Sequence, residues 1–579
     1  MTRRDALLAG ALFTGLAVLF WSGRSRSFGP GDSPQHAVAA LTWGVPHPPG
    51  YPLQTAAAHA WSRLPWAEPV AAVNGLSGLF AAGAAAVFFL LLRLQGCGAP
   101  AALAACGFMA LSPLFWFYSL VAEARALNDL LALSSAYAAC RWAAGGERRW
   151  LWACALLVGL GLGHHPTFLF IVPALSWWAF ERKPAPKDLA VCAALAFAAL
   201  CAPYLLLGAR LASGEPAYNL YAVKGWADLP GLFLRKDSGG PLRMVSGTGF
   251  MGFGGFDPAS LVRHAGWMAA SAARHGGPAL LLGLLPFAFP KEAARRPLQG
   301  WLAWLGVSGG LFLAVASQQV AICDPEYARA VMARHYLLPF VALFAAAGHG
   351  AQRLAARVRP AFVAALAAAA FVLPLALSPL SLARDNPLLD HARAMVRDSG
   401  PRDLVVLAAD DSIFASIYLD LVAGEAGQRV FLTPSLFAYP PYARRLKARH
   451  PDLTLPPFKA GEGLSTDWTL WKRLNPGRAV LAEPVLRDAI LDRWPASAPS
   501  GGLIRVEEKP AARSDPAADA ERFLAAPETA FTRAEAREWT QEVYLLHGRR
   551  NMAEWLGSRL DPRRDGELLL RLRALLAVL

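Results

Sequence analysis

Residues 1–21 read MTRRDALLAGALFTGLAVLFW, which is a short basic start followed by an apolar run. Roughly 20 apolar residues cross a bilayer as one helix, so this stretch predicts a membrane span. The residues that follow, WSGRSRSFG (21–29), contain no clear small-x-small cleavage signal. We therefore expect a retained first helix, with a removable signal peptide as the alternative.

Similar apolar runs continue along the chain as far as residue 381. Only 17% of the residues are charged, against about 25% in soluble domains. The sequence thus predicts an α-helical polytopic membrane protein, with a transmembrane domain over 1–381, a soluble α/β domain over 382–510 and a helical tail over 511–579. About eleven transmembrane helices are expected, at 6–21, 69–92, 98–119, 126–140, 150–163, 167–180, 189–209, 278–290, 301–317, 335–349 and 361–381.

Basic residues recur in alternate short connections, such as Arg3 and Arg4, Arg148 and Arg149, and Arg295 and Arg296. Cytoplasmic loops retain positive charge, so this pattern predicts a cytoplasmic N-terminus. The first outer loop (22–68), the connections 210–277 and 318–334, and the tail then lie outside. We expect the inner membrane of a bacterium, with the C-terminal domain in the periplasm. Residues 150–180 are predicted as a hairpin with His164, His165 and Pro166 at its outer tip, one broken helix being the alternative.

The net charge of +14 is spread over many connections and forms no single basic patch, which argues against a nucleic-acid partner. The seven cysteines are scattered and include no CxxC pair. A disulfide framework or a zinc site is therefore not expected.

The tail alternates β-like and helix-like segments. DLVVLAA (403–409) and RVFLTP (429–434) are typical of buried strands, with a helix from Ser412 to about Ala423 between them. A second unit is predicted at 477–494. Asp410 and Asp411 follow the first strand, where ligands often bind in α/β folds, but capping of the next helix is the interpretation we favour.

The first outer loop contains GDSPQHAVAALTWGVPHPPGYPL (31–53). Asp32 can cap a helix that begins near Ser33 and Pro34, and residues 35–43 are predicted as a helix along the membrane surface. The prolines that follow impose a stiff turn carrying His47 and Tyr51. A carboxylate beside a rigid backbone suits a preorganised site. The alternative is that Asp32 only caps and the prolines only end the helix.

This string resembles a family of polytopic membrane proteins named for its HPPGYP motif and catalogued as a domain of unknown function. An animal protein O-mannosyltransferase acting on plexin-type domains is similar to that family. Further segments resemble it in the same order: AAVNGLSGLFAA (71–82), SPLFWFYSLVAEARALN (112–128), GLGLGHHPT (159–167), DDSIFASIYLD (410–420) and RVFLTPSLFAYPPYARRL (429–446).

The resemblance implies a GT-C glycosyltransferase, which takes a sugar from a polyprenyl phosphate and uses an acidic residue of the first outer loop. Asp32 is the expected general base of an inverting transfer, with mannose as one candidate sugar. The acceptor would be an exported protein Ser/Thr or a glycan hydroxyl, and membrane lipid and the lipid-linked donor the other partners. Family members have D-S-G-E where this chain has Asp32, Ser33, Pro34 and Gln35, and this loss of a carboxylate argues against a divalent metal.

Other polar residues at outer helix ends are candidate contacts of the donor or acceptor. The substrate-binding candidates are Gln35, His47, Tyr51, Glu123, Arg125, His164, His165, Arg235, Lys236, Arg243, Arg329, Arg334 and His335. Each has a structural alternative. Glu123 and Arg125 can satisfy each other, the histidine pair can be structural, 234–243 can be a solvated loop, and residues 329–335 can anchor a helix at lipid headgroups.

Two other functions compete with the transferase. A lipid or glycan transporter would be expected to show internal repeats and charges near the bilayer midplane. The sequence contains no visible repeat, and its ionisable residues concentrate at outer helix ends. A non-catalytic envelope scaffold is the second rival, because Gln35 replaces an acid of the family motif.

Overall fold

A computed structural model describes residues 2–29, 31–66, 68–236, 258–288, 292–320, 329, 331–377, 388–408, 410–438, 440–456, 468–508, 515–525 and 543–578. Proline often occupies the first helical position, where its missing N–H is no loss. The α-helices up to residue 377 are α1 (Arg3–Gly23), α2 (Ser33–Thr42), α3 (Pro52–Ser62), α4 (Pro69–Leu94), α5 (Ala99–Ala110), α6 (Pro113–Leu120), α7 (Arg125–Gly145), α8 (Arg148–His164), α9 (Val172–Ala179), α10 (Pro186–Ala212), α11 (Leu229–Phe233), α12 (Pro258–Gly276), α13 (Pro278–Ala288), α14 (Glu292–Val320), α15 (Leu337–Ala355) and α16 (Pro360–Leu377).

The C-terminal part alternates helices and short strands. In chain order these are α17 (Leu388–Arg397), β1 (Leu404–Val406), α18 (Asp410–Tyr418), β2 (Val430–Leu432), α19 (Pro440–Arg449), α20 (Trp468–Leu474), β3 (Val480–Ala482), α21 (Arg487–Arg493), β4 (Ala498–Ser500), β5 (Leu503–Arg505), α22 (Pro516–Leu524), α23 (Val543–Arg559) and α24 (Gly566–Val578). Short 3-10 helices at Pro166–Ile171, Trp226–Asp228 and Arg334–Tyr336 connect elements of the first part.

The protein is an integral membrane protein by the length and apolarity of its helices. Among the described residues, five helices are long and apolar enough to cross a bilayer: Arg3–Gly23, Pro69–Leu94, Pro186–Ala212, Arg296–Ser317 and Val331–Ala355. A bent pair, α5 with α6, makes six if it counts as one span. The figure of about eleven spans stays a prediction.

The segment predicted as a span over 98–119 is bent, because the chain turns by 66° between α5 and α6. Pro113 begins α6 and supplies no N–H to continue the preceding helix, so the break falls just before it. The bend lies directly ahead of the segment that carries Glu123 and Arg125.

The connection 210–277 contains a long helix, α12, that the sequence analysis missed. Its buried residues are polar and include Ser260, His264 and Ser271, whereas Val262 is 71% exposed. Polar side chains of membrane-protein helices face the bundle interior, as the buried face of α12 does.

The helices α8 and α10 pack closely as far as residue 163. A Cβ on Gly159 would lie 2.1 Å from the backbone oxygen of Ala196, and one on Gly163 would lie 2.9 Å from that of Leu200. The glycines thus let α8 approach the backbone of α10, as small residues four apart do between membrane helices. His164 ends α8 directly after this contact.

The chain forms two compact units that do not follow chain order. One comprises residues 1–26, 47–215 and 223–384, and the other comprises 27–46, 216–222 and 385–579. The second unit therefore combines part of the first outer loop with the tail. We refer to them as the helical unit and the tail unit.

The tail unit is built on a five-stranded sheet in the order β2-β1-β3-β5-β4. The first three strands are parallel, Val405 lying opposite Phe431 on one side and Leu481 on the other. The apolar, fully buried residues of β1 fit a strand covered on both faces. Strands predicted at 403–409 and 429–434 are present as β1 and β2, whereas the short antiparallel pair β4 and β5 was missed.

The helix predicted over 35–43 is present as α2, but it is buried rather than exposed along a surface. Ser33 to Ala40 are all buried, and α2 packs against α18 of the tail unit. The small apolar residues of this segment, alanines above all, fit such a close contact. Burial within a protein core, rather than a bilayer surface, thus explains their pattern.

Candidate active site

The HPPGYP turn is a rigid structure that only glycine can close. The Gly50 N–H donates to the carbonyl oxygen of His47 at 2.8 Å, with Gly50 at φ +86°. A Cβ on Gly50 would lie 2.7 Å from Cδ2 of Leu232, so both conformation and space require glycine. Tyr204 fixes the same turn by donating its hydroxyl to the Pro49 carbonyl at 2.9 Å.

The turn brings His47 and Tyr51 to the two histidines of the α8 tip. Nε2 of His47 lies 3.0 Å from the Tyr51 hydroxyl, and the Tyr51 ring lies 6.1 Å from His164 and 5.9 Å from His165. His335, at the start of α15, lies 6.3 Å from the His165 ring. We call these five residues the histidine cluster; all were site candidates from the sequence, and all lie in the helical unit.

Both tip histidines are held by hydrogen bonds that set their tautomers. His164 Nε2 donates to the Ala124 carbonyl at 2.9 Å. His165 Nδ1 accepts from the Thr167 backbone N–H at 3.2 Å, so the proton of the neutral ring is assigned to Nε2. Burial, assisted by the charge of Arg125, holds the pKa of His165 well below its usual value, and the ring is neutral at pH 7.

Arginines surround the histidine cluster. Arg125 Nη1 donates to His335 Nδ1 at 3.2 Å, and Arg334 Nη1 lies 3.4 Å from Oε1 of Glu123. The alternative that Glu123 and Arg125 satisfy only each other is therefore wrong, since Glu123 pairs with Arg334. The charge of Arg235 also acts on His165 and His335. Arg125, Arg235 and Arg334 thus bring three guanidinium groups to the histidine cluster, and Glu123 pairs with one of them.

Two other sequence candidates are not part of this arrangement. Lys236 and Arg329 are exposed, and among the described residues neither makes a ring contact or hydrogen bond with the histidine cluster. Arg243 lies outside the described residues.

The structure adds aromatic and polar neighbours that the sequence analysis missed. Phe312 stacks on His335 at 5.1 Å, and His264 lies 5.4 Å from Phe312 and 5.9 Å from Tyr336. His264 is fully buried, and its Nδ1 lies 2.9 Å from the Ser317 hydroxyl. His264 lies in α12, which was predicted as part of a loop, so its position on a helix face could not be recognised from the sequence.

Asp129 is a second missed residue, and its signal was visible. It lies four residues after Arg125 in α7, is 5% exposed, and interrupts a run predicted as apolar. Asp129 and Arg125 line an apolar groove together with Phe20, Ala84, Met109 and Phe115. An ionisable residue in a membrane helix is expensive to bury, so a paired or functional role is the default.

In the tail unit, Asp32 occupies the N-cap position of α2 without capping it. The helix begins at Ser33 as predicted, but the Asp32 side chain accepts no hydrogen bond from the first helical N–H groups. The interpretation of Asp32 as only an N-cap is therefore wrong. The side chain is half-buried, which is compatible with access by a substrate.

Asp411 holds the backbone directly before Asp32. Its Oδ1 accepts from the Gly31 N–H at 2.5 Å, and the Asp411 side chain is 1% exposed. Gly31 has φ +74°, a conformation that favours glycine. Capping of the next helix was the interpretation favoured for Asp410 and Asp411. The helix α18 begins at Asp410, and the Asp411 carboxylate bonds to the first loop. The Asp410 side chain lies outside the described residues.

Gln35 and Tyr218 form the buried side of this loop. Gln35 is 1% exposed and lies close to the Tyr218 side chain. Burial raises the pKa of Tyr218, and the charge of Asp32 raises it further, so the phenol stays protonated. Val45 N–H donates to the Tyr218 carbonyl at 2.8 Å. Tyr218 was missed because nothing local marks which residue of 210–277 meets the first loop.

Comparison with known proteins agrees with the family resemblance. The chain is 36% identical over 218 residues to protein O-mannosyl-transferase TMEM260 from Mus musculus, a match covering 35% of this chain and 31% of that protein. The chain thus aligns with about a third of the length of that relative.

Two solved membrane structures are also similar to the chain. The oligosaccharyltransferase AglB from Archaeoglobus fulgidus, in complex with an inhibitory peptide and a dolichol-phosphate, has a TM-score of 0.43 at 12% identity, covering 84% of this chain and 70% of that one. ArnT from Cupriavidus metallidurans, bound to undecaprenyl phosphate, has a TM-score of 0.37 at 12% identity, covering 87% and 99%. Residues 32–188, which include the HPPGYP turn and both tip histidines, match the family described as the protein O-mannosyl-transferase TMEM260 N-terminal domain.

Proposed function

We propose that this protein is an inverting glycosyltransferase of the GT-C kind that moves a hexosyl group, such as mannose, from a polyprenyl phosphate to a hydroxyl group of an exported protein or glycan. The observation that carries the proposal is the placement of the Asp32 carboxylate. Its carboxylate lies in the segment that matches the O-mannosyl-transferase family, is not consumed by helix capping, and follows a backbone held by Asp411.

Asp32 is the proposed general base. As the acceptor oxygen attacks the anomeric carbon, its proton passes to the Asp32 carboxylate. The bond from the anomeric carbon to the phosphate oxygen breaks, and polyprenyl phosphate leaves with the electron pair. General-base assistance of this kind contributes about 100- to 10,000-fold to the rate.

The arginines around the histidine cluster are the proposed partners of the donor phosphate. Arg125, Arg235 and Arg334 supply guanidinium groups, which bind phosphate in bidentate geometry. Charge that builds on the leaving phosphate would be stabilised by such fixed cations.

The Gln35 side chain supports a metal-independent version of this reaction. It is a neutral amide at a position where the family motif has a carboxylate, and it lies close to the Tyr218 side chain. The proposal places the N-terminus in the cytoplasm and the tail unit in the periplasm of a bacterial inner membrane, in keeping with the distribution of basic residues.

The test is transfer by purified Asp32→Asn protein with a polyprenyl-phosphate mannose donor and a hydroxyl acceptor. We expect transfer to be abolished while the thermal unfolding midpoint in detergent stays at the wild-type value. Asp228→Asn is the matched control, since Asp228 is an exposed carboxylate that only accepts from the Lys224 N–H. Wild-type transfer rates in the Asp32→Asn protein would exclude the mechanism.

A further inference from the structure

A cavity of about 370 Å³ lies at the end of the first membrane helix, apart from the residues assigned above. It is lined by Trp21, Ser22, Arg24, Arg26, Trp66, Glu68 and Ala72. Its size falls within the range of small-ligand sites, about 300–1,000 Å³. All of its lining residues belong to the helical unit.

The walls of the cavity are preorganised. Trp21 and Trp66 lie 5.2 Å apart, and both indoles pack on Trp61. The Arg24 guanidinium lies 4.2 Å from the Trp21 ring centre and donates to the Trp21 carbonyl at 2.5 Å. Arg24 is thus held in one place, so little conformational entropy is lost when a ligand binds it.

Charges of both signs line the cavity. Arg26 and Glu68 are exposed, and within the described part of the chain neither of them forms an ion pair. Two guanidinium groups and one carboxylate therefore face a single space. A ligand carrying one anionic and one cationic group can complement both, whereas a purely anionic ligand would be repelled by Glu68.

The level of the site along the membrane helix identifies the kind of ligand. Trp21 lies at the end of α1, a helix long enough to cross the bilayer, and tryptophans concentrate where the hydrocarbon core meets the headgroups. A phosphate on a lipid at this level can bind the arginines, and a neighbouring ammonium group can contact Glu68 and the Trp66 ring face.

We propose that this cavity binds the phosphoethanolamine headgroup of a bilayer phospholipid, its phosphate on Arg24 and Arg26 and its ammonium on Glu68. A lipid held here would anchor the end of α1, six residues before the loop glycine Gly29. The proposal does not depend on the transferase activity, and its test measures binding alone.

The experiment is native mass spectrometry of the delipidated full-length protein in detergent, titrated with short-chain phosphatidylethanolamine or phosphatidylglycerol. Arg26→Ala should weaken phosphatidylethanolamine binding about tenfold, as expected for loss of one charged hydrogen bond. Glu68→Gln should remove the preference for ethanolamine over glycerol. Arg63→Ala is the matched control, because Arg63 is an exposed arginine of the same loop outside the cavity lining.

Equal phosphatidylethanolamine affinities of Arg26→Ala and Arg63→Ala would overturn the proposal, as would a wild-type protein that binds phosphatidylglycerol equally well. A third arm adds polyprenyl phosphate as competitor. Displacement of phosphatidylethanolamine by that compound, lost in Arg26→Ala, would assign the cavity to the donor lipid and also overturn the proposal. The side chains of Arg26, Arg63 and Glu68 are all exposed. An unchanged thermal unfolding midpoint is therefore expected for each variant and is measured alongside.

Discussion

The Asp411 carboxylate accepts a 2.5 Å hydrogen bond from the backbone N–H of Gly31, a residue 380 positions earlier in the chain. The bond is charge-assisted and buried, so it is among the stronger hydrogen bonds a protein makes. Because Gly31 directly precedes Asp32, the Asp411 side chain contributes to the placement of the proposed base.

Asp411→Ala is expected to lower kcat about tenfold or more while leaving the KM for the donor nearly unchanged, because Asp32 would lose its fixed position. Asp411→Asn keeps an acceptor oxygen and should recover part of the rate. Initial-rate kinetics over a donor concentration series separate the two constants. Asp488→Ala, an exposed carboxylate 74% accessible in the same unit, is the control; an equal loss there would remove the positioning role.

Arg125→Lys should raise the KM for the polyprenyl-phosphate donor about tenfold, since lysine keeps the charge but loses the planar fork that binds phosphate and His335. Arg329→Lys is the matched control, because Arg329 is exposed and makes no described contact with the histidine cluster. Donor titration of both purified variants checks this. An unchanged KM in Arg125→Lys would assign the donor phosphate to other residues.

Gly50→Ala should destabilise the protein by about 1–3 kcal/mol through its left-handed backbone, with an added cost from contact with Leu232. Gly96→Ala isolates the backbone part, because Gly96 has φ +90° and nothing within 4 Å of its added Cβ. Denaturant titration measures both. Gly50→Ala should cost less in a Leu232→Ala background than in the wild type, and an equal cost in both backgrounds would place the loss elsewhere.

The lowered pKa of His165 leads us to expect that the protein becomes less stable on mild acidification. Its pKa is lowered in the folded protein, so below the unfolded value of about 6.5 the unfolded chain binds more protons than the folded one. The free energy of unfolding should therefore decrease as the pH falls through about 6.5. His165→Gln should show a shallower slope in denaturant titrations from pH 7.5 to 5.5, and an unchanged slope would contradict the assignment.

The membrane helices and the central strands were accessible from local patterns. Apolar length predicted the helices now seen at Arg3–Gly23, Pro69–Leu94 and Pro186–Ala212, and short β-branched runs predicted β1 and β2. The bend before Pro113 could also have been predicted, because a proline inside an apolar run breaks the helix. The helix α12 was missed because its polar face suggested a loop, whereas in lipid that face turns inward.

The candidate site likewise contains residues that could be recognised from the sequence and partners that could not. HPPGYPL marked a rigid turn, and His164 and His165 stood out against an apolar background, so these residue types were recognised in place. Their partners were not, because Glu123 pairs with Arg334, and Arg125 with His335, over more than two hundred positions. The pairing of Glu123 with Arg125 was the natural local expectation, and it was wrong for that reason.

The amino-acid sequence by itself determined which segments are apolar enough for the membrane, where the glycine-dependent turn lies, and that Asp32 begins a helix. These features depend on residues within a few positions of one another. Only the tertiary structure decided that Asp411 binds Gly31, that Tyr218 meets Gln35, and that four histidines and Tyr51 converge. Those contacts join distant segments, and their free energy depends on burial that no local stretch of sequence contains.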